Sequence, residues 1–293
     1  MAGAVAIIGA SGQLGAALVA AYADRPLVTP AHGDLDFADT VAIEAFLARE
    51  APAVLINCSA YHNVDACERD PEPAFAINAL AVDRVAKACA AAGVPFVTVS
   101  TDYVFDGTLG RPYREDDVPN PLSAYGVSKL AGELLVRRHG HAHFIFRTSG
   151  VYGESGQSNK GYTFIERVLQ QAERGEPVRI VDNMTFSPSY APHVARVMRE
   201  VIDAGAYGTH HVTNAGAISW HDFAAYAFER AGLNAELEAI AYDNYGSAVK
   251  RPLYSALENT TLGPAGIALA PAWQRGVDDY LIARAARSTT SAV

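Results

Sequence analysis

The sequence predicts an α/β fold, a doubly wound parallel sheet followed by a smaller C-terminal lobe. Three observations carry this. Strand-like and helix-like segments alternate through the first half. The strand segments are near-continuous apolar runs, the pattern of strands covered on both faces. A glycine-rich loop, Gly9–Gly15, joins the first strand to the first helix.

The elements follow in order. Ala4–Ile8 is a short apolar strand ending at Gly9, and Leu14–Ala23 an alanine-rich helix. Leu27–Thr29 is a second strand, Val41–Arg49 a helix and Val54–Asn57 a strand. Ala74–Ala92 reads as one long helix closed by Gly93. Pro95–Ser100 is a strand, Tyr125–His139 a helix and Phe144–Thr148 a strand. Beyond Thr148 the pattern loosens, with glycines and serines through Gly150–Gly161. Helices are expected at Phe164–Glu173, Ala191–Ala204, Trp220–Ala231 and Trp273–Ala285, and a strand at Val178–Val181. Ser219, three residues before Asp222, should cap the helix at Trp220. Residues 1–149 thus carry the alternating pattern and 150–286 a looser one, partly interwoven with the first unit, while 287–293 should be a disordered tail.

Composition excludes several function classes. The chain has 293 residues, half of them hydrophobic, enough for a sizeable core. A formal net charge of −9 argues against a nucleic-acid partner, which needs a basic face. No stretch reaches the ~18 apolar residues of a membrane helix. The apolar N-terminus is broken by Gly9, Ser11 and Gly12 and has no basic leader, so no secretory signal is expected. Cys58, Cys67 and Cys89 form no CxxC pair, and no Cys/His cluster has zinc-ligand spacing. Reduced thiols in a cytoplasmic, metal-free protein are the expectation.

The loop Gly9-Ala10-Ser11-Gly12-Gln13-Leu14-Gly15 has the chemistry of a pyrophosphate cradle. Glycines permit a tight turn, close approach of phosphate to backbone, and close packing of helix on strand. The helix N-terminus offers free N–H groups and a positive dipole end. The spacing is GxxGxxG rather than GxGxxG, and a structural glycine turn is the competing reading. An Asp or Glu gripping the ribose of NAD would stand near Thr29–Ala31, and none does. His32 just beyond could meet a 2′-phosphate, which favours NADPH and leaves NADH open. Asp36, with Phe37 beside it, is placed to touch the adenine rather than the ribose.

Tyr125-Gly-Val-Ser-Lys129 sets a phenol and an ammonium four residues apart on one helix face. A ketone being reduced needs a proton as hydride arrives, and a lysine charge should lower the phenol's pKa. That lysine can also hold the nicotinamide ribose. Ser100 and Thr101 end a predicted buried strand, where ligand sites of α/β folds lie. Ser100 is a candidate cofactor contact. Thr101 could hydrogen-bond the substrate carbonyl beside Tyr125, its alternative being a strand-end hydroxyl bonded to backbone.

Together these residues resemble the extended short-chain dehydrogenases, and more narrowly the dTDP-4-dehydrorhamnose reductases. The likeness runs from about Val5 to Leu281. It rests on Gly9–Gly15, Ala60–Glu68, Ala76–Ala79, Ser100–Phe105, Tyr125–Glu133, Arg147–Gly153 and Arg251–Ser255. It implies a Rossmann-like, dinucleotide-binding domain over 1–149, a smaller and mainly substrate-binding lobe over 150–286, and hydride transfer to C4 of a dTDP-4-keto-6-deoxyhexose, giving dTDP-L-rhamnose in the type member. It implies that Ala60 and Tyr61 lie along the cofactor and that Asn78 supports the active-site end of the sheet. Asp102, Tyr103 and Val104 would line the sugar pocket, and Arg251 would face the substrate diphosphate. The chain departs from the family where a pocket tryptophan is usual, at Gly150. It departs again at Thr163, Met184 and His193, and at Ala66, where a lysine is usual.

Alternatives stay open at this stage. One is a reductase for another 4-keto sugar nucleotide, and another a dehydratase or epimerase. Against the latter stands Tyr103, at the position of the dehydratase glutamate. A third is a regulatory subunit resembling the β subunit of methionine adenosyltransferase. The oligomeric state, a homodimer included, is not readable.

Overall fold

The computed structural model describes residues 3–140, 142–154 and 163–290, the last three of these by backbone alone. The first half builds β1 (Val5–Ile8), α1 (Gln13–Ala21), β2 (Leu27–Val28), α2 (Thr40–Glu50), β3 (Val54–Asn57), α3 (Val64–Arg69) and α4 (Glu72–Phe75). It continues through α5 (Val82–Ala92), β4 (Phe96–Thr101), α6 (Ala124–Arg137) and β5 (His143–Thr148). Every residue of β1 and β3 is buried, as the unbroken apolar runs predict. Caps set the helix starts: Asp39 accepts from the N–H groups of Val41 and Ala42, Asn63 from Ala66, and Ser123 from Gly126.

The expected single helix at Ala74–Ala92 is three pieces. Between α4 and α5 lies a π-helical stretch, Ala76–Ala81, which widens the backbone around Asn78. Such a register change leaves no mark in apolar periodicity, and π segments often accompany functional sites. Gly93 closes α5 in the left-handed region, φ 68°.

The second half builds β6 (Val151–Tyr152), α7 (Phe164–Glu173), β7 (Val178–Val181), β8 (Thr185–Phe186), β9 (Ser189–Tyr190) and α8 (Ala191–Asp203). It ends with β10 (Gly208–His211), β11 (Ile218–Ser219), α9 (Trp220–Ala231), β12 (Leu237–Ile240) and α10 (Trp273–Thr290). Ser219 caps α9 through the N–H of Asp222, as expected. Most of the glycine- and serine-rich stretch after Gly150 lies outside the described residues.

The main sheet has six parallel strands in the order β10-β5-β4-β3-β1-β2. Alternate residues face opposite layers. Val5, Ile7, Val54, Ile56, Val97, Phe144 and Phe146 pack with Leu14 and Leu18 of α1 and with the apolar face of α8. Ala6, Ile8, Leu55, Phe96 and Ile145 pack with side chains of α2, α5 and α6. From β1 the chain runs outward to β2, then crosses back to β3 on the other side of β1. The carboxyl ends of β1 and β3 thus flank a topological switch point, where such sheets bind ligands.

The lobe packs α7, α9 and α10 around an aromatic core that includes Tyr152, Phe186, Phe223, Trp273 and Tyr280. Two segments of the second half return to the sheet: α8 covers one face, and β10 pairs with β5. Sequence reasoning missed β10 because Gly208-Thr209-His210-His211 has no apolar run. The expected disordered tail needs correction, since α10 continues through Thr290. Its C-terminal half is tied down: Arg284 pairs with Glu166 and Glu173, and Arg287 donates to the Glu154 carbonyl. Residues 291–293 lie outside the described residues.

Candidate active site

A cavity of about 490 Å³ opens at the carboxyl ends of β1, β3, β4 and β5. Its floor at one end is the glycine loop. Gly9 turns the chain at φ 79°, and Gly15 sits against it so closely that a Cβ would lie 2.1 Å from the Gly9 carbonyl oxygen. Gly12 is the N-cap of α1 and has no side chain to bond the first N–H groups, which stay available to an anion. Gln13, Leu14 and Gly15 line the cavity beside it, and the buried Gln13 Oε1 has no partner among the described residues. This cradle fits a pyrophosphate.

Tyr125 and Lys129 reach the cavity from the first turns of α6, and Thr101 from the end of β4. The predicted trio is therefore together. Its electrostatics differ from expectation. Burial pushes the Tyr125 phenol well above its usual pKa and the Asp102 charge pushes it further, while a hydrogen bond with Thr101 opposes both. No lowering by Lys129 stands among the main effects. Burial instead brings the Lys129 ammonium down to about 8, with Glu133 and Cys58 pulling it back up. A phenol held neutral is the form that donates a proton, so the arrangement suits a general acid in reduction.

Asp102, 4% exposed, turns its carboxylate away from an open role. It accepts from Ser255 Oγ (2.5 Å), Ser149 Oγ (2.8 Å) and Thr101 Oγ1 (3.0 Å). Burial raises its pKa to about 6 despite these three hydroxyls. Ser100 faces the other side of β4, where its hydroxyl donates to Glu133 (2.6 Å). Glu133 also takes a bidentate grip from Arg147 (2.9 and 2.7 Å), a fully buried ion pair linking α6 to β5.

Asn78 bridges the loop after β3 and α6. Its amide exchanges two hydrogen bonds with the Tyr61 backbone (both 2.9 Å) and donates to Ser128 Oγ (3.0 Å), which donates to the Tyr125 carbonyl (2.8 Å). The loop after β3 is thereby pinned to α6. Gly132 lets α6 approach, since a Cβ there would lie 2.2 Å from the Asn78 carbonyl oxygen.

Of the other predicted residues, Gly12, Gln13, Leu14, Gly15, Ala60, Ser100, Tyr103 and Gly150 line the cavity with the trio and Asp102. Ser11, His32 and Asp36 lie on exposed loops outside it, and Asp36 accepts from the Ala38 N–H. Phe37 and Val104 are core residues, 5% and 0% exposed, and neither lines the cavity.

Gly150 carries the largest surprise. The resemblance places a pocket tryptophan at this position. The space is taken by Phe186 of β8, whose ring stacks on Trp220 at 3.7 Å between centroids and 4° between planes. A Cβ on Gly150, itself at φ 50°, would lie 2.4 Å from the Phe186 ring. Met184 does line the cavity with Phe186 and Trp220, while Tyr152 is buried in the lobe core. No local motif announces Phe186 or Trp220. Other lining residues that sequence reasoning missed are Cys58, Ser59, His62, Thr148 and Ser255.

A second cavity of about 220 Å³ shares Tyr103, Met184 and Trp220 with the first. Arg167, Arg179 and Arg251 line it together with Phe164, Tyr242 and Tyr245. Arg251 is held by Asp65 (3.0 and 3.1 Å), Ser247 (2.5 Å) and Tyr242 (3.2 Å). Arg179 pairs with Glu238, whereas Arg167 stacks over Phe164 and makes no ion pair among the described residues. The pair of cavities sets Thr101, Tyr125 and Lys129 at one end and an arginine-lined, aromatic chamber at the other.

Comparison with known proteins agrees. Residues 3–285 match the family model described as RmlD substrate binding domain. A spore coat polysaccharide biosynthesis protein, SpsK, of Bacillus subtilis is 32% identical over 94% of this chain and 96% of its own length. The dTDP-4-dehydrorhamnose reductase of Sinorhizobium fredii is 34% identical over 86% of this chain and 88% of its own. The crystal structure of dTDP-4-dehydrorhamnose reductase from Bacillus anthracis in complex with NADP superposes with a TM-score of 0.91 at 31% identity, covering 96% of this chain and 99% of that one. Cradle, trio and two-part cavity thus stand in a chain that belongs to the RmlD substrate binding domain family.

Proposed function

We propose that this protein reduces the C4 ketone of a nucleotide-linked 4-keto-6-deoxy sugar with NADPH, its leading substrate being dTDP-4-dehydro-L-rhamnose and its product dTDP-L-rhamnose. The observation that carries this is the convergence of Thr101, Tyr125 and Lys129 on a cavity that begins at a phosphate cradle and continues into an arginine-lined chamber. The relatives named for this reaction, and the NADP complex among them, support it.

NADPH, when bound, supplies hydride to the ketone carbon. The chain's own residues do the rest. The α1 N-terminus and the Gly12–Gly15 backbone hold the pyrophosphate. Lys129 holds the nicotinamide ribose and lends positive charge near the reacting oxygen. Tyr125 donates its phenolic proton to that oxygen, with Thr101 as a second hydrogen-bonding partner. Thr101 donates to Asp102 (3.0 Å) and accepts from the Tyr103 N–H (3.2 Å), so its hydroxyl hydrogen turns from Asp102 to the ketone oxygen when the sugar is held there. Tyr103, Met184 and the Phe186–Trp220 stack wall the sugar, and Arg251 with Arg167 faces the diphosphate. No acidic residue stands at Thr29–Ala31, and His32 lies nearby, which favours NADPH over NADH.

A second reading, a reductase for a different 4-keto sugar, is favoured by one observation. The sugar wall is rebuilt from Phe186 and Trp220 rather than from position 150. A panel of nucleotide-linked 4-keto sugars with NADPH or NADH, followed by product analysis, tests both readings. Turnover of the rhamnose precursor with kcat/KM above all others upholds the first. A clear preference for another sugar upholds the second, and absence of turnover with any of them overturns both.

A further inference from the structure

The cavity around the trio carries a further hydroxyl, that of Thr148. Thr148 ends β5 directly beside Thr101, its partner across the β4–β5 ladder. Strand alternation puts both on the face that carries Val97, Phe144 and Phe146, the face covered by α1. Thr148 is 7% exposed and lines the catalytic cavity. Its Oγ1 is buried and has no hydrogen-bond partner among the described residues.

Four hydroxyls nearby are engaged. Thr101, Ser149 and Ser255 donate to Asp102, and Ser100 donates to Glu133. A buried hydroxyl without a partner costs stability, and such groups are rare outside functional sites. Beside Thr148 the cavity wall is apolar, formed by Val99 and Val151. An apolar wall with one hydroxyl at its edge fits a flat ring bearing one polar substituent. A cofactor held at the α1 N-terminus and at Lys129 brings its nicotinamide to this end of the cavity. The carboxamide of that ring both donates and accepts, so the Thr148 hydroxyl can serve it either way.

We propose that Thr148 hydrogen-bonds the nicotinamide carboxamide and so fixes which face of the ring is turned to the sugar. This rests on the function proposed above. Without such an anchor the ring could turn about its glycosidic bond and present the opposite face.

The test compares wild type with Thr148→Val, which keeps the shape and removes the hydroxyl, and with Thr148→Ser, which keeps the hydroxyl. Dissociation constants are measured for NADPH and for 2′-phospho-ADP-ribose, which lacks the nicotinamide. The expected result is NADPH affinity reduced roughly three- to tenfold in the valine variant, the worth of one neutral hydrogen bond. Affinity for the fragment should be unchanged, and the serine variant should bind NADPH like wild type. NADPH labelled with deuterium on one face of C4 should transfer label cleanly with wild type and incompletely with the valine variant. Unchanged NADPH affinity with clean transfer overturns the proposal, and so does a raised sugar KM with normal NADPH binding. Equal loss for NADPH and the fragment also overturns it, because the damage then lies in the cradle. Wild-type protein that binds neither ligand overturns the proposed function itself, a result distinct from failure of this contact alone.

Discussion

At the glycine-loop end, the cavity is walled by chain neighbours, Gly12 to Gly15, that act largely through backbone. At the sugar end it is walled by side chains from three separate segments: Met184 and Phe186, Trp220, and Ser255. The first end recognises a group common to every dinucleotide, and backbone N–H groups suffice. On the function proposed, the second must tell one sugar from another, with surfaces that lie off the main sheet. Phe186 fills the space beside Gly150 there. Changes at the first end should therefore alter cofactor binding for every sugar. Changes at the second should alter sugar choice with the cofactor unaffected.

The largest expected effect lies at the seam between the two ends. Tyr125→Phe keeps the ring and removes the proton donor, so kcat should fall by ~10²–10⁴ for every sugar. NADPH affinity, read by fluorescence titration, should stay at the wild-type value. Retention of more than about a tenth of kcat would mean that another group supplies the proton.

Lys129→Met sharpens the contrast from the cofactor side. Loss of a charge-assisted hydrogen bond should weaken NADPH by about ten- to a hundredfold. Thermal stability should move the opposite way. Lys129 sits at about 8 in the fold, below the 10.5 of a free lysine, so its buried charge is destabilising at neutral pH. In wild type that cost is relieved as pH rises from about 8 towards about 10.5. The melting temperature of the variant should exceed wild type at pH 7, and the gap should close over that window. A variant less stable than wild type at pH 7 would show that the charge is better compensated than its burial implies.

The sugar end is probed by Phe186→Leu. Loss of the stack on Trp220 should raise KM for the natural sugar roughly two- to tenfold, with NADPH affinity unchanged. Gly150→Trp alone should misfold or lose sugar turnover, because the new side chain meets the Phe186 ring at its first atom. Pairing it with Phe186→Ala clears the space and should recover folding, leaving only the strain of a positive φ. If the double variant is no better than the single one, Phe186 is not the obstacle. Equal losses of cofactor and sugar binding in Phe186→Leu would erase the distinction between the two ends.

The smallest effect expected is at Asp102→Asn. The Asp102 charge helps hold the Tyr125 phenol neutral. Its removal should lower the phenol's pKa and move the alkaline limb of the kcat profile to lower pH. Stability offers a second check. Asp102 stands at about 6 in the fold against 3.8 for a free aspartate, so in wild type this group costs stability increasingly as pH rises through that interval. The asparagine variant should lack this decline. A limb that stays in place would show that Asp102 acts on hydroxyl geometry alone.

The same contrast governs how much could be read from sequence. The sheet, its order of elements and the trio were legible because each rests on contiguous residues: apolar runs, Gly9–Gly15 and Tyr125–Lys129. β10 was not, since Gly208–His211 is a strand by pairing with β5 rather than by composition. Phe37 and Val104 were misplaced because an apolar residue beside a motif looks the same whether it faces a ligand or the core. The Phe186–Trp220 wall was hidden altogether: it joins two residues 34 positions apart whose meeting depends on the pairing of β8 with β11. The raised phenol at Tyr125 escaped for a related reason. The lysine is visible in the spacing, whereas the buried Asp102 is felt only once the fold is closed.

The stack at Trp220 also makes the protein its own optical instrument. The chain has two tryptophans. Trp273 is 6% exposed in the lobe core, against Phe223 and Tyr226. Trp220 lines both cavities. Indole emission overlaps the absorption of reduced nicotinamide, so excitation of Trp220 should pass to bound NADPH and vanish as that chromophore is oxidised. Rapid-mixing traces should then resolve filling of the cofactor end, arrival of the sugar and the chemical step in sequence, without a label. Trp220→Phe should silence the sugar-dependent signal and leave Trp273 to report the cofactor alone.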